Sequence, residues 1–416
     1  MKKTLFAALA VVLLSACTGP LRVEVLIDEV SLGGPRMVEI DMADITAHFG
    51  GKSFVIKNEN GVELPYQITY DNKLIFPGVV NLGVADSTNT LVYQIVKGTP
   101  SEVTPLVAGN CYPLRFEDFS WENENGGYRA YGPALQKIGE KGFGYDLFVK
   151  RGTRLPVLDT LYAHETCEEM RTKLKGLRQT DPEAAQDLVR RESYHVDRGL
   201  GMDCYAVGPT LGAGVAALLD EGQIVYPWCY ETYEVLDNGP LRFTVKLTFT
   251  PITVGENDNV IETRVITLDA GEHLNRTAVS YANLDKATPI VTGIVLHDED
   301  DASTFIDAES GCMAYKDPTT GPDNGTIYLG HCFEKTPLDL RVERFSAKES
   351  ELRNNARGHV LSESVYEPGS EFVYYWGFGW DRNEFNGWTS FETWQEYLKA
   401  FAAGLKSPVT VKVIAE

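Results

Sequence analysis

From Arg22 to about Gly98 the chain alternates apolar and polar residues in short runs: Arg22-Val23-Glu24-Val25-Leu26-Ile27, Val38-Glu39-Ile40-Asp41-Met42, Ser53-Phe54-Val55-Ile56, Gln67-Ile68-Thr69-Tyr70 and Leu91-Val92-Tyr93-Gln94-Ile95-Val96. A period of two sends successive side chains to opposite faces of a pleated strand, so each run reads as a strand with one buried face. Turn signals separate the runs at Gly33-Gly34-Pro35, Gly50-Gly51 and Asn60-Gly61, the pattern of antiparallel pairing. This predicts an N-terminal β-sandwich segment over 22–100, ending near Thr99-Pro100-Ser101. The pattern returns in longer strands over Leu241 to Thr250, Val260 to Leu268, Thr288 to Leu296, Thr326 to Leu329 and Ser370 to Gly377. Residues 101–416 therefore read as a large sandwich body of extended sheets, and the fold class as mostly β.

Helices are few. Two charged helical stretches, about 165 to 179 and 182 to 191, interrupt the β pattern as an insertion. A third spans about 390 to 405, opening on the capping-box spacing of Thr389 and Glu392. Its Phe391, Trp394, Leu398 and Phe401 recur at helical intervals, so one aromatic face packs on the sheets.

The first residues carry an address. Lys2 and Lys3, the apolar run Leu5 to Leu14 and the small residues Ser15-Ala16 before Cys17 form a signal peptide over 1–16. Leu14-Ser15-Ala16-Cys17 resembles a lipobox, which makes Cys17 the expected lipid anchor and the cell envelope, on the periplasmic side of the outer membrane, the expected location. Removing Lys2 and Lys3 takes the 38 basic residues to 36, against 59 acidic ones, and the net charge from −21 to −23. That surface excludes a nucleic-acid partner, whose phosphates need neutralising cations, while leaving room for an acidic sugar at a local Arg/His cluster. None of the remaining cysteines forms a CxxC pair; Cys312 and Cys332, flanking a Gly/Asp/Pro-rich turn, are the first candidates for a disulfide, beside the reading of the others as buried small hydrophobes.

The densest polar cluster runs Tyr194-His195-Val196-Asp197-Arg198-Gly199-Leu200-Gly201-Met202-Asp203-Cys204-Tyr205, followed by Gly208-Pro209-Thr210-Leu211-Gly212-Ala213-Gly214. Glycines let a backbone approach a ligand closely, and here they bracket a histidine, two aspartates and two tyrosines. His195, beside Asp197 and Arg198, fits a general base, with Tyr194 or Tyr205 as the acid and Asp203 beside them. The competing reading is a structural turn in which Asp197 and Asp203 cap backbone amides. A second cluster, Trp121-Glu122-Asn123-Glu124-Asn125-Gly126-Gly127-Tyr128-Arg129-Ala130-Tyr131, offers Trp121 and Tyr131 as apolar contacts and Arg129 as a fork for a sugar carboxylate; the alternative is a hairpin closed by a Glu122–Arg129 ion pair.

Trp228 and Tyr230 lie in an aromatic stretch, and Trp380, beside Asp381 and Arg382, is expected exposed as a stacking face for a sugar ring. His297 and Glu299 fall on one face of a strand end, an arrangement suited to a divalent cation but commoner in a solvated acidic loop. No other cofactor is expected. GxSxG elbows, P-loops, dinucleotide loops, HExxH and EF-hand motifs are absent from the sequence.

The Tyr194–Gly214 stretch, Leu236-Asp237-Asn238-Gly239-Pro240-Leu241-Arg242, the Trp121-Glu122-Asn123 and Arg129-Ala130-Tyr131-Gly132-Pro133 motifs and Trp376-Gly377-Phe378-Gly379-Trp380-Asp381 resemble the DUF4861 family of exported Bacteroidetes proteins. The resemblance covers about residue 22 to the C-terminus. It implies a galactose-mutarotase-like β-supersandwich used in polysaccharide utilisation, with at least one relative regarded as a dehydratase or lyase on uronate-containing glycan. It carries no residue roles. The turn Glu124-Asn125-Gly126-Gly127 departs from the bulkier run usual there. The functional expectation is an eliminating enzyme acting on an acidic oligosaccharide; a glycan-binding lipoprotein without turnover, and an epimerase or hydrolase on the same scaffold, stand beside it.

Overall fold

The computed structural model describes residues 19–28, 30–78 and 90–415; the expected signal peptide and lipid-anchor Cys17 lie outside them. The architecture is mostly β, in antiparallel sheets. The N-terminal unit is a five-stranded sheet in the order Thr410–Ala415, Leu21–Leu26, Thr90–Lys97, Phe54–Asn58, Glu63–Leu64, facing a small sheet of Met37–Asp41, Lys73–Pro77 and Gln67–Ile68. Alternation does what it predicts: Val23 and Val25 are buried with Ile40, Ile56, Phe76 and Ile95 in one apolar core. The partner of the first strand on its outer edge is the last strand, Leu21 opposite Ala415 and Leu26 opposite Thr410. The N-terminal unit is thus completed by residues far beyond position 100.

The body is layered around one large sheet, which runs Tyr230–Gly239, Arg242–Phe249, Asn257–Asp269, Leu274–Ala282, Phe372–Trp380, Ile327–Cys332, Cys312–Asp317, Thr304–Asp307. One face carries the helix Phe391–Lys406, whose Trp394, Leu398 and Phe401 pack on Leu274, Ala314 and Tyr328. Against the other face lie two five-stranded sheets. One contains Ala108–Tyr112, Asp118–Glu122, Gly126–Ala130, Asp146–Lys150 and Gly201–Met202; the other contains Gln223–Val225, Ala216–Asp220, Thr288–Leu296, Gly358–Tyr366 and Asp339–Arg344. Trp121, Tyr128, Tyr145, Trp376 and Phe378 fill the space between the layers. Close packing there needs a glycine: a Cβ on Gly126 would fall 2.3 Å from the ring of Phe378.

Several local expectations shift. The helix Met42–Phe49 follows directly on the strand Met37–Asp41, with Asp41 capping Ala43 N at 2.9 Å; its first residue doubles as the end of the alternating run, which hid it. The insertion holds three helices, Leu158–Thr166, Glu168–Thr180 and Pro182–Glu192, and begins earlier than the charged stretch suggested because Leu158, Leu161 and Tyr162 face the core. The C-terminal helix is capped by Ser390, whose hydroxyl accepts from Thr393 N at 3.2 Å, in place of Thr389. Cys312 and Cys332 stand opposite one another on neighbouring strands, yet both are free thiols, and Cys332 Sγ donates to the Leu398 carbonyl at 3.3 Å.

Trp394 is fully buried, and its indole donates to the Leu329 carbonyl at 2.9 Å. Trp394→Ala removes a fully buried indole from the helix–sheet seam and is expected to destabilise the protein by about 3–5 kcal/mol, read as a lowered denaturant midpoint.

Candidate functional site

Arg129 lies on the strand Gly126–Ala130, with Asp146 opposite it on one neighbour and Ser120 opposite it on the other. Burial in the middle of a sheet denies the guanidinium water, so its charge must be met by protein. Its Nη2 is paired with Asp146 and lies 2.8 Å from Asp203; its Nη1 donates to the Tyr194 hydroxyl at 3.0 Å and stands 3.7 Å from Asp118. Tyr131 donates to Asp146 at 2.6 Å. Three buried carboxylates converge on one arginine. Burial accordingly raises Asp203 to about 7, Asp146 adding to the effect and Arg129 opposing it, and raises Asp118 to about 6 against the pull of Arg129 and Arg115.

The Gly-bracketed loop hangs on this cluster. Asp197 accepts from Gly199 N at 2.8 Å and Gly201 N at 3.2 Å, and pairs with Arg151 at 2.9 Å; Arg198 Nη1 donates to the Ser193 carbonyl at 2.9 Å. Both residues shape the loop. Gly201, at φ +109°, has no room for a side chain, since a Cβ would meet Val149 O at 1.9 Å. The loop presents His195, whose side chain is 55% exposed. Its Nδ1 is 2.8 Å from the Asp203 carbonyl, which can only accept, so Nδ1 carries the hydrogen and Nε2 keeps its lone pair. The Asp203 carboxylate is 3.7 Å from the same nitrogen.

Tyr194 is buried beneath His195, the two rings 4.7 Å apart, and its hydroxyl also accepts from Arg115 Nε at 2.8 Å. Arg115 had no signal in the sequence. It is only partly buried, and among the described residues no carboxylate pairs with it, whereas Arg129 is buried and already faces three carboxylates through its two Nη atoms. Tyr205 points elsewhere: its buried hydroxyl has no hydrogen-bond partner among the described residues, and its ring lies 5.6 Å from that of His297. Burial holds Tyr205 well above the ordinary phenol range, with Asp317 adding to it. His297 Nδ1 is 2.6 Å from Asp317, which outweighs the opposing effect of burial and raises the imidazole.

The remaining candidates separate. Trp121 and Trp380 are buried, not exposed: Trp121 donates to Asn275 at 2.7 Å and Trp380 to the Asn324 carbonyl at 2.8 Å, so neither offers a face to a sugar. Asp381 accepts from Thr326 N at 3.0 Å. Trp228 donates to the Glu140 carbonyl at 3.1 Å, and Tyr230 donates to that of Glu117. Glu122 pairs with Lys150 at 2.7 Å rather than with Arg129. Glu299 is exposed beside Arg357 at 3.5 Å, apart from the His297–Asp317 pair, and among the described residues no group of three or more His, Cys, Asp or Glu is arranged for a metal.

A carboxyl raised on folding binds a proton that the unfolded chain releases near pH 4, so it contributes stability at low pH that is lost as pH climbs to its folded value. Asp118 titrates at about 6 and Asp203 at about 7. In urea-midpoint measurements against pH, Asp203→Asn is expected to reduce the loss of stability from about pH 4 to 7, including the last part of that span, which Asp118 does not reach and which Glu272, also raised to about 7, shares; an unchanged slope would refute the assignment.

Residues 35–411 match the family described as "Domain of unknown function (DUF4861)". A relative in Formosa agariphila, described as "Uncharacterized protein P7", is 23% identical over 331 residues, which span 77% of this chain and 74% of that protein. Two solved structures from Enterococcus faecalis, an alpha-mannosidase and a protein in glycosyl hydrolase family 38, align over 95% and 96% of this chain at 8% and 7% identity, each with a TM-score of 0.44. The chain spans about half the length of those structures, 46% and 48%. Matched from residue 35 to residue 411, the chain belongs to the DUF4861 family.

Proposed function

We propose that this protein is a carbohydrate-active enzyme that performs elimination on a uronate-containing oligosaccharide. The observation that carries the reading is His195: a half-exposed imidazole whose Nδ1 is committed to a carbonyl, leaving Nε2 as a presented base. The carbohydrate class itself comes from the family resemblance. In the proposed step, Nε2 takes the proton from C5 beside the uronate carboxylate. The freed electron pair forms the C4–C5 double bond, the C4–O bond breaks, and a tyrosine hydroxyl protonates the departing oxygen. Tyr194 lies beneath the base and its hydroxyl accepts from two arginines, which leaves its own hydrogen to donate, so it is the better placed acid; Tyr205 is buried toward His297.

The geometry favours Arg115 over Arg129 as the carboxylate anchor, because Arg115 shares Tyr194 with the base and retains donors for a ligand. Arg129 then acts through Asp203 and Tyr194 as a positioning residue. The proposal includes the address: lipid on Cys17 would hold the enzyme in the cell envelope, on the periplasmic side of the outer membrane, where imported glycan fragments arrive.

Uronate-containing oligosaccharides are expected to yield an ultraviolet-absorbing unsaturated product. His195→Ala is expected to lower kcat about 10²–10⁴-fold with binding retained, and Arg115→Ala to raise KM. Binding without product across pectic, ulvan-like and glycosaminoglycan fragments would overturn elimination and leave a glycan-binding protein.

A further inference from the structure

The loop between the strands Ala108–Tyr112 and Asp118–Glu122 places side chains in two environments. Arg115 reaches Tyr194, at the His195 site; Glu117, two residues on, lines a separate cleft of about 930 Å³. Two consecutive residues, Phe116 and Glu117, adopt left-handed backbone at φ +53° and +62° to make this turn. Neither is a glycine, and such conformations persist where surrounding structure enforces them, often at ligand sites. The opposite wall carries a register shift between Tyr230 and Thr232, a bulge that redirects side chains. The Tyr230 hydroxyl locks the two walls together through the Glu117 carbonyl.

The cleft is lined by Cys111, Glu117, Lys137, Tyr230, Glu231 and Tyr233, among others, and has the size and mixed lining of a small-ligand site. Tyr233 is 46% exposed, and its ring rests on Phe119 at 4.9 Å and Tyr230 at 6.0 Å, so an outward aromatic face is held from below. Oε2 of Glu117 is buried without a hydrogen-bond partner, with Lys137 Nζ 4.0 Å away. Two carboxylates against one ammonium make the cleft a poor place for an anion and a good acceptor of hydroxyl hydrogens.

We infer that this cleft is a subsite for an uncharged pyranose, stacked on Tyr233 and hydrogen-bonded to Glu117, in the same oligosaccharide whose uronate meets Arg115 and His195. The inference rests on the carbohydrate reading above and adds a division of labour across one loop: uronate on the Arg115 side, neutral sugar on the Glu117 side.

Cys111 reports occupancy, since its thiol is half-buried in the cleft, 3.8 Å from the Tyr230 hydroxyl. The test measures Cys111 alkylation in the intact protein by peptide-resolved mass spectrometry, with maltotriose, mannotriose, xylotriose or trigalacturonate present. At least one neutral trisaccharide is expected to slow labelling about tenfold at concentrations well past its Kd; trigalacturonate is expected not to. Tyr233→Ala, at an exposed position, and Glu117→Gln are each expected to weaken that protection about tenfold, with the thermal melt confirming that each variant folds. Protection by none of the neutral sugars, equal protection by trigalacturonate, or protection indifferent to both variants would overturn the subsite. Unsaturated product is read separately: protection without product refutes elimination and leaves the subsite standing.

Discussion

A single buried guanidinium sets the arrangement of the inner sheet. Arg129 ties together Asp118 and Asp146 from neighbouring strands and Asp203 and Tyr194 from the loop that follows the helical insertion. Removing one partner of such a buried set typically destabilises by about 3–5 kcal/mol, because the charges left behind have no water to turn to. Burial raises Asp203 and Asp118, with Asp146 adding to both and Arg129 opposing, so the cluster keeps protons as well as pairing. The loop bearing His195 is therefore fixed at its base by charge and at its turn by Asp197 and Gly201.

A second buried ion holds the helical insertion in register with that loop. Glu122 takes Lys150 on one oxygen and, on the other, accepts from Val157 N and Leu158 N, each at 2.7 Å, at the start of the first insertion helix. A carboxylate at a helix N-terminus meets unpaired amides and the positive end of the helix dipole. From that anchored start the helix carries Tyr162 onto Tyr194 and Phe148, and Glu165 accepts from Tyr194 N at 3.1 Å. Two ion clusters, one under the loop and one under the helix, converge on the same tyrosine.

Much of the fold was legible because period-two alternation survives wherever one strand face is buried; the strand Thr288–Leu296 has the bounds that its sequence suggests. The glycine-bracketed loop was legible as well, since Gly201 can be nothing else. What escaped depends on distance along the chain. Asp118 and Asp146 look like unrelated surface aspartates, and nothing in the sequence ties Asp203, legible in its loop, to Arg129 until the sheet brings them together. Trp380 sits between a glycine and a charged pair, a setting equally compatible with a surface or a core, and only the layer packed above it decides. Arg115 lies in an unpatterned run, and its value comes from Tyr194, a residue 79 positions away.

The pairing of Leu21–Leu26 with Thr410–Ala415 has a temporal meaning. A chain made from its N-terminus delivers Leu21–Leu26 early and their edge partner, Thr410–Ala415, long after. Until then the first strand offers an open row of backbone donors and acceptors, the kind of edge that recruits foreign strands. Closing that edge with residues 410–415 makes completion of the first sheet contingent on arrival of those distant residues. The seam ties distant segments together: a chain truncated before residue 410 would keep its candidate site residues and still display an unfinished edge.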